Sequence, residues 1–448
     1  MLDKLRQRIK GFPETIPPRY TTASPNAEIK LYEGEFQIEQ ESGMYSEEGS
    51  VYIAWLPTPN TNFHVSSLEH VFHTDQETKL AIPALNLKED VILRNITIGN
   101  KSSHCFGSFS DAVVTGVRVQ PVEDIIFHVP NFPDFQGELI RNAEITGSWR
   151  GRARFIGKQW TLTLDRVING DKLTQILKQE GGFVITHVGK IERNDRSGVD
   201  FDTAQELTHQ IGYFLSFLSG LWSLPVLSSG SVADTTYWNN WQIPRITPWR
   251  YVRTWFPYRT SEDIKGVGQV FYGFMEKCDD PLWRDSIISA IHWYIEANLN
   301  AGAVEGAIIL TCTALELLGW THLVNSTGLL TPREFDKNKA EDNLSSLLTY
   351  MQVPTQIPAS LKDLQNSSFN DGPQALMELR NRIVHPPSKP GQQYITQYPF
   401  EVRQQGRDLG IWYLEMVLLW LFGYGGPYYQ RFRGGFPSDL RINVPWNP

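Results

Sequence analysis

Arg380-Asn381-Arg382-Ile383-Val384-His385, near the end of the chain, places a forked cation, an amide and an imidazole within six positions. Such a set can act on an RNA phosphodiester without a metal. RNA carries its own nucleophile, the 2′-hydroxyl, which attacks the adjacent phosphorus once its proton is removed. A histidine can accept or donate that proton near neutral pH. An arginine, permanently charged and forked, stabilises the negative charge that gathers on the phosphorane. Asn381 can donate to a phosphate oxygen or hold the imidazole. Arg382 reads as a solvated neighbour or a contact to the RNA backbone. The same basic residues would also suit the C-terminal end of any helix, where cations favour the dipole.

A helix has to present this set, and the flanking residues supply one. Asp371 can cap it and Pro373 suits its first turn, where a missing N–H costs nothing. Leu376, Leu379 and Ile383 recur at helical spacing and make one apolar face. Pro386 disfavours α geometry at the residue before it, so the helix should end at His385. Asn381 and His385, four apart, then share a face, with Arg380 beside them.

The chain has 448 residues, 41% of them hydrophobic, enough for two or three domains with true cores. Aromatic residues make up 12%, including 14 tryptophans, which excludes a disordered chain. A net charge of -8 argues against whole-surface binding of nucleic acid, so any RNA contact needs a local basic patch. Cys105, Cys278 and Cys312 are widely spaced and odd in number, suiting a reducing cytosol better than a disulfide framework or zinc site. The charged start, Met1 to Lys10, has no apolar stretch after it and is not a signal peptide. Two apolar runs, Ile211 to Leu227 and Ile411 to Tyr424, are short or interrupted for a membrane span and read as buried helices. A soluble, cytoplasmic protein is expected.

Residues from about 28 to 195 alternate as strands do, for example Val51-Tyr52-Ile53-Ala54-Trp55-Leu56 and Trp160-Thr161-Leu162-Thr163-Leu164. Gly147 to Phe155 reads as part of a hairpin. An apolar helix follows near 201–224, then a break at Ser228-Ser229-Gly230-Ser231. After Ser261 the pattern is helical: a capped helix opening at Ser261-Glu262-Asp263, then Pro281 to Asn298 and Ala303 to Val324. A polar helix near Lys339 to Met351, the helix ending at His385 and one from Phe400 to Phe422 complete the series. The organisation is therefore α+β and multidomain. Residues 1–230 form a β-rich region, 231–260 an aromatic and arginine-rich connection, and 261–448 an all-α domain.

This helical region, with its late R-x4-H string and a polar residue directly after the arginine, resembles the HEPN superfamily (higher eukaryotes and prokaryotes nucleotide-binding). A β-rich N-terminal region joined to a C-terminal HEPN domain resembles the ApeA-like proteins of bacterial anti-phage defence. The resemblance implies a HEPN helical bundle acting as an RNA endonuclease, with Arg380, Asn381 and His385 as its catalytic residues. It implies no cofactor, and products ending in a 2′,3′-cyclic phosphate and a 5′-hydroxyl. In that family two motifs face each other across a dimer, so two copies of His385 could serve as base and acid. The expected substrate is RNA, tRNA among the candidates. The setting would be abortive infection, with the β-rich region sensing a phage-derived trigger or restraining the nuclease.

Other residues invite more than one reading. Glu316 is the lone acid of an apolar helix and needs a partner: Arg380, whose orientation it would set, or another base with a structural role. Tyr237 to Arg259 holds Arg245, Arg250, Arg253 and Arg259 and no acid, with Trp249 among its rings. Bases could stack there while arginines hold phosphates, and interdomain packing explains the same composition. His64, His70 and His73 cluster in sequence, without the cysteine or spacing that would make them a convincing metal site. The last helix, with Ile411, Trp412, Leu414, Met416, Val417, Leu418, Trp420 and Leu421, is apolar nearly all round, as a core element that also offers a dimer face would be.

Overall fold

The computed structural model describes residues 11–67, 73, 76–98, 103–110, 113–142, 147–385, 394–432 and 440–447. Six strands come first: β1 (Ile29–Gln40), β2 (Gly43–Ala54), β3 (Asn60–Ser67), β4 (Thr78–Ile82), β5 (Leu87–Ile98) and β6 (Ser103–Phe109). They close into an antiparallel barrel in the order β1-β2-β3-β6-β5-β4. Alternation sends Phe36, Ile38, Val51, Ile53, Phe63 and Val65 inward, where they are buried. Trp55 stacks on Phe183 at 5.7 Å and seats the barrel on the next region.

That region is an eight-stranded antiparallel sheet. Its strands are β7 (Val114–Gly116), β8 (Asp124–Pro130), β9 (Glu138–Arg141), β10 (Ser148–Ile156), β11 (Trp160–Arg166), β12 (Ile185–Arg193), β13 (Val226–Val232) and β14 (Thr235–Asn240). The order across it is β7-β14-β13-β8-β12-β11-β10-β9. Helix α1 (Gly170–Glu180) joins β11 to β12, and α2 (Phe201–Ser219) precedes β13. The expected hairpin at Gly147 to Phe155 is present as β10 paired with β11.

Two expectations change here. Ser228-Ser229-Gly230-Ser231 is no break but the buried middle of β13. Glycine is required at 230 because the Trp238 indole lies directly over it, where an added Cβ would come within 2.3 Å of the ring. The β-rich region also continues past 230 to Asn240, since β13 and β14 form one hairpin. Ala233 and Asp234 turn it, both at positive φ, as a two-residue turn of the mirror-image type demands.

One face of the sheet is apolar and shares its core with the helices. Phe155 meets Phe214 of α2 at 5.6 Å and Phe271 at 6.1 Å, and Phe214 meets Phe271 at 5.1 Å. The opposite face is polar and partly covered by the N-terminal segment. Ile16 packs on Ile126 and Val188, while its N–H donates to the buried Asp165 at 2.8 Å. Arg152 grips the same carboxylate at 2.6 and 2.7 Å. Further along, the Tyr20 N–H donates to Nε2 of the buried His128 at 3.1 Å.

The helical half contains α3 (Ser261–Asp279), α4 (Arg284–Asn298), α5 (Ala303–Trp320), α6 (Pro332–Lys337), α7 (Ala340–Tyr350), α8 (Lys362–Gln365), α9 (Gly372–Val384) and α10 (Phe400–Leu421). A short strand pair, β15 (Pro427–Tyr429) with β16 (Arg441–Asn443), follows. Helix α5 packs against α4, α7, α9 and α10 and is the axis of the bundle. The stretch Ala303–Ser326 is long and apolar enough to cross a membrane, yet most of it is buried inside the protein. Helix α10 is buried from Leu409 to Leu419 within a single chain. Its apolar surface over that span is used internally, as a core element, while Phe400 at its start is exposed. A β-rich first half and a helical second half thus make an α+β multidomain chain.

Candidate active site

Helix α9 forms as its sequence demands. The Asp371 carboxylate caps it by accepting from the Gln374 N–H at 2.9 Å, and Pro373 lies in the first turn. Leu376, Met377 and Leu379 are buried against α5, α7 and α10. The helix ends at Val384. His385 has left it (φ -126°, ψ 133°), while its N–H still reaches the Asn381 carbonyl at 2.9 Å. The imidazole is thereby exposed at the end of the helix, with no side-chain hydrogen bond among the described residues.

One turn earlier, Arg380 is oriented from two sides. Its Nη1 donates to Asn381 Oδ1 at 3.1 Å, and Nη2 lies 3.6 Å from Glu316 Oε1 on α5. Of the partners open to Glu316, Arg380 is the one it meets. The pair is loose and wet, with 28% of the arginine side chain and 35% of the glutamate exposed. At that separation both groups keep hydrogen-bonding capacity for a third participant. Asn381 therefore holds the arginine rather than the imidazole. Beneath the pair sits the buried Cys312, its thiol pushed up by burial and secondarily by Glu316.

Arg382 is committed elsewhere. It pairs with Glu378 one turn back, and its side chain is only 11% exposed. Tyr398 also bonds to it, and burial, followed by Glu378, pushes that phenol up. Arg382 braces the helix and is not poised as a free phosphate contact.

The arginine and aromatic stretch resolves mainly into packing. Trp238, Trp241, Trp255 and Phe256 are buried in the core. Arg245 lies 5.4 Å over the Trp222 ring and pairs with Glu296 at 2.9 Å, tying the connection to α4. Arg253 donates to the Arg431 carbonyl at 2.7 Å. Arg259 stands 5.9 Å over Tyr258. The Trp249 N–H donates to Gly182, leaving its ring half-buried. Arg250 is exposed, as is Tyr251. The stretch therefore presents individual exposed groups rather than a continuous row of rings.

Among the histidines, His64 meets His104 rather than His73. Their ring nitrogens are 3.2 Å apart, and Phe106 stacks on His64 at 4.5 Å. Burial, then the neighbouring His104, lowers the His64 pKa. His73 uses its backbone N–H on Gln40, and His70 lies outside the described residues.

Sequence reasoning missed a cavity of about 290 Å³ beside Arg380 and Glu316. Phe335, Asp336 and Asn338, from α6 and the turn after it, line its far wall. The visible signal was Thr331-Pro332-Arg333-Glu334, a capping box now formed in both directions. Nothing in that signal pointed toward α9, some forty positions away.

Residues 118–252 match the family model of the YopA central domain, and residues 280–439 that of the YopA C-terminal domain. No solved structure matches the chain. Along nearly its whole length the chain is similar to the SPbeta prophage-derived uncharacterized protein YopA of Bacillus subtilis (strain 168), 28% identical over 432 residues that span 94% of this chain and 95% of that protein.

Proposed function

We propose that this chain is a metal-independent RNA endonuclease of the HEPN type that acts in a bacterial contest with phage. One observation carries the reading. Arg380, steadied by Asn381 and Glu316, lies one turn before the end of α9, and the exposed His385 lies just past that end. Arg380 stabilises charge on the phosphorane, and His385 transfers the proton. The prophage origin of the similar YopA protein agrees with a role in abortive infection, in which the β-rich half senses a phage-derived trigger or restrains the nuclease. No cofactor takes part, and the cytoplasm is the place of action.

Among the described residues a single chain brings one histidine to this helix end, whereas cleavage uses a base and an acid. The active form is therefore a homodimer, with a second His385 in the same cleft. Val384, Tyr394 and Phe400 are large apolar residues exposed near this end of the bundle and fit contact with a second copy. The same lone histidine favours one alternative, a HEPN module that binds RNA or dimerises without cutting.

Incubation with total RNA in the presence of a chelator, followed by mapping of the ends, separates the two. Wild type should yield 2′,3′-cyclic phosphates and 5′-hydroxyls. Arg380→Ala and His385→Ala should each slow cleavage by about a hundredfold or more while remaining folded. Cleavage by His385→Ala at the wild-type rate would remove the assignment.

A further inference from the structure

We propose that the cavity between α5, α6 and α9 is a guanine pocket that selects the base beside the cleaved phosphate. The proposal rests on the nuclease reading for its purpose, but the binding itself does not depend on it. The cavity measures about 290 Å³, at the small end for ligand sites, which suits a single base rather than a whole nucleotide. Leu344 and Met377 give it an apolar floor, and the Phe335 ring forms a wall. That ring is fixed by edge-to-face contact with Trp320 at 5.2 Å. Aromatic walls of this kind receive the flat faces of bases.

The polar groups decide which base fits. Glu316 and Asp336 both line the cavity. Asp336 has no side-chain partner among the described residues, and Glu316 has only the long contact to Arg380. Asn338 donates to Asn343 Oδ1 at 3.0 Å, and Asn343 donates to the Phe335 carbonyl at 2.8 Å. These contacts use one N–H of each amide to brace the turn, and the two carboxylates are the strongest acceptors left to meet a ligand.

A carboxylate seeks two adjacent N–H donors. Among the RNA bases only guanine offers such a pair on its Watson–Crick edge, from N1 and the 2-amino group. Adenine and cytosine set a ring acceptor beside their amino group, and uracil has one N–H between two carbonyls. Two carboxylates against one arginine also repel a phosphate from the interior. The base therefore enters, and Arg380 at the rim meets the backbone.

Titration calorimetry of the full chain with GMP, AMP, CMP and UMP tests this directly. GMP should bind roughly tenfold or more tightly than the others, and Asp336→Asn or Glu316→Gln should erase that preference. Asp336 is exposed, so an unchanged melting temperature in Asp336→Asn certifies the fold. His385→Ala should keep the GMP preference while losing cleavage. Equal binding of all four nucleotides, no binding, or a preference surviving both carboxylate variants would overturn the pocket. Selective GMP binding by a wild type that cuts no RNA would sink the nuclease reading and leave the pocket standing. Cleavage by a wild type that shows no GMP preference in calorimetry would do the reverse.

Discussion

Arg431 and Glu415 meet in the dry interior, while Arg380 and Glu316 meet at a wet rim. In the first pair the arginine side chain is 4% exposed and the glutamate 0%, with Nη2 2.6 Å from Oε1. Its remaining sites are taken as well. Arg431 also donates to the Arg253 carbonyl and to Asn298, and the Tyr294 hydroxyl donates to Glu415 at 3.0 Å. In the second pair the contact is 3.6 Å, both partners are about one-third exposed, and capacity is left over. The same two residue types thus build a clasp in one place and an open hand in the other. A fully satisfied buried pair fixes structure, because removing one partner strands a charge. A loose pair at a cavity rim contributes little to stability and is free to engage something else.

The largest effect that would break this comparison lies in the clasp. Arg431→Ala should destabilise the chain by about 3–5 kcal/mol, read from urea unfolding, because Glu415 is left buried and unpaired. A loss below about 1 kcal/mol would mean that the pair is not the clasp described.

The contrast extends to histidines, since His128 and His187 are buried whereas His385 stands in water. Burial lowers the pKa of His128 to about 4 and that of His187 to about 3. His128 Nε2 accepts from Tyr20, an arrangement open only to the neutral ring. The unfolded chain therefore takes up protons at a pH where the folded chain does not. Stability should be full above about pH 6.5 and fall as pH drops toward 3, the His128 share of the loss being complete near pH 4 and that of His187 near pH 3. His128→Asn should flatten the slope by an amount on the order of 3 kcal/mol, measured as unfolding free energy against pH. An unchanged slope would argue against a neutral, buried His128.

The smallest effect sharpens the other side. A double-mutant cycle on Arg380 and Glu316 should give a coupling of no more than about 1 kcal/mol in stability. The same variants should differ strongly in RNA cleavage. A coupling of several kcal/mol would make the rim pair structural after all.

The helix carrying the candidate site was legible because its determinants are local. Asp371, Pro373, the spacing of Leu376, Leu379 and Ile383, and Pro386 all act within a few residues of where they stand. Glu316 was legible for another reason: an acid in an apolar helix demands a partner, and the basic end of α9 offers one. What escaped depends on distant neighbours. Ser228 to Ser231 carries the composition of a loop, and pairing with β8 and β14 makes those small residues a strand, with Trp238 packed over Gly230. His64 finds His104 through the pairing of β3 with β6, forty positions later in the chain. Arg382 looked free until Glu378 and Tyr398 were seen to occupy it. Asp336 gave no sign that it would share a cavity with Arg380.

The matched family regions end at 252 and resume at 280, and α3 falls between them. That helix presses Phe271 into the sheet core, while Gly273 lets it approach the Phe422 carbonyl so closely that a Cβ would sit 2.2 Å away. No cut on either side of it leaves two pieces with closed apolar surfaces. The sheet and the bundle therefore share one continuous apolar core, and α3, beside the direct packing of α2 on α4, is one of the rivets that join them.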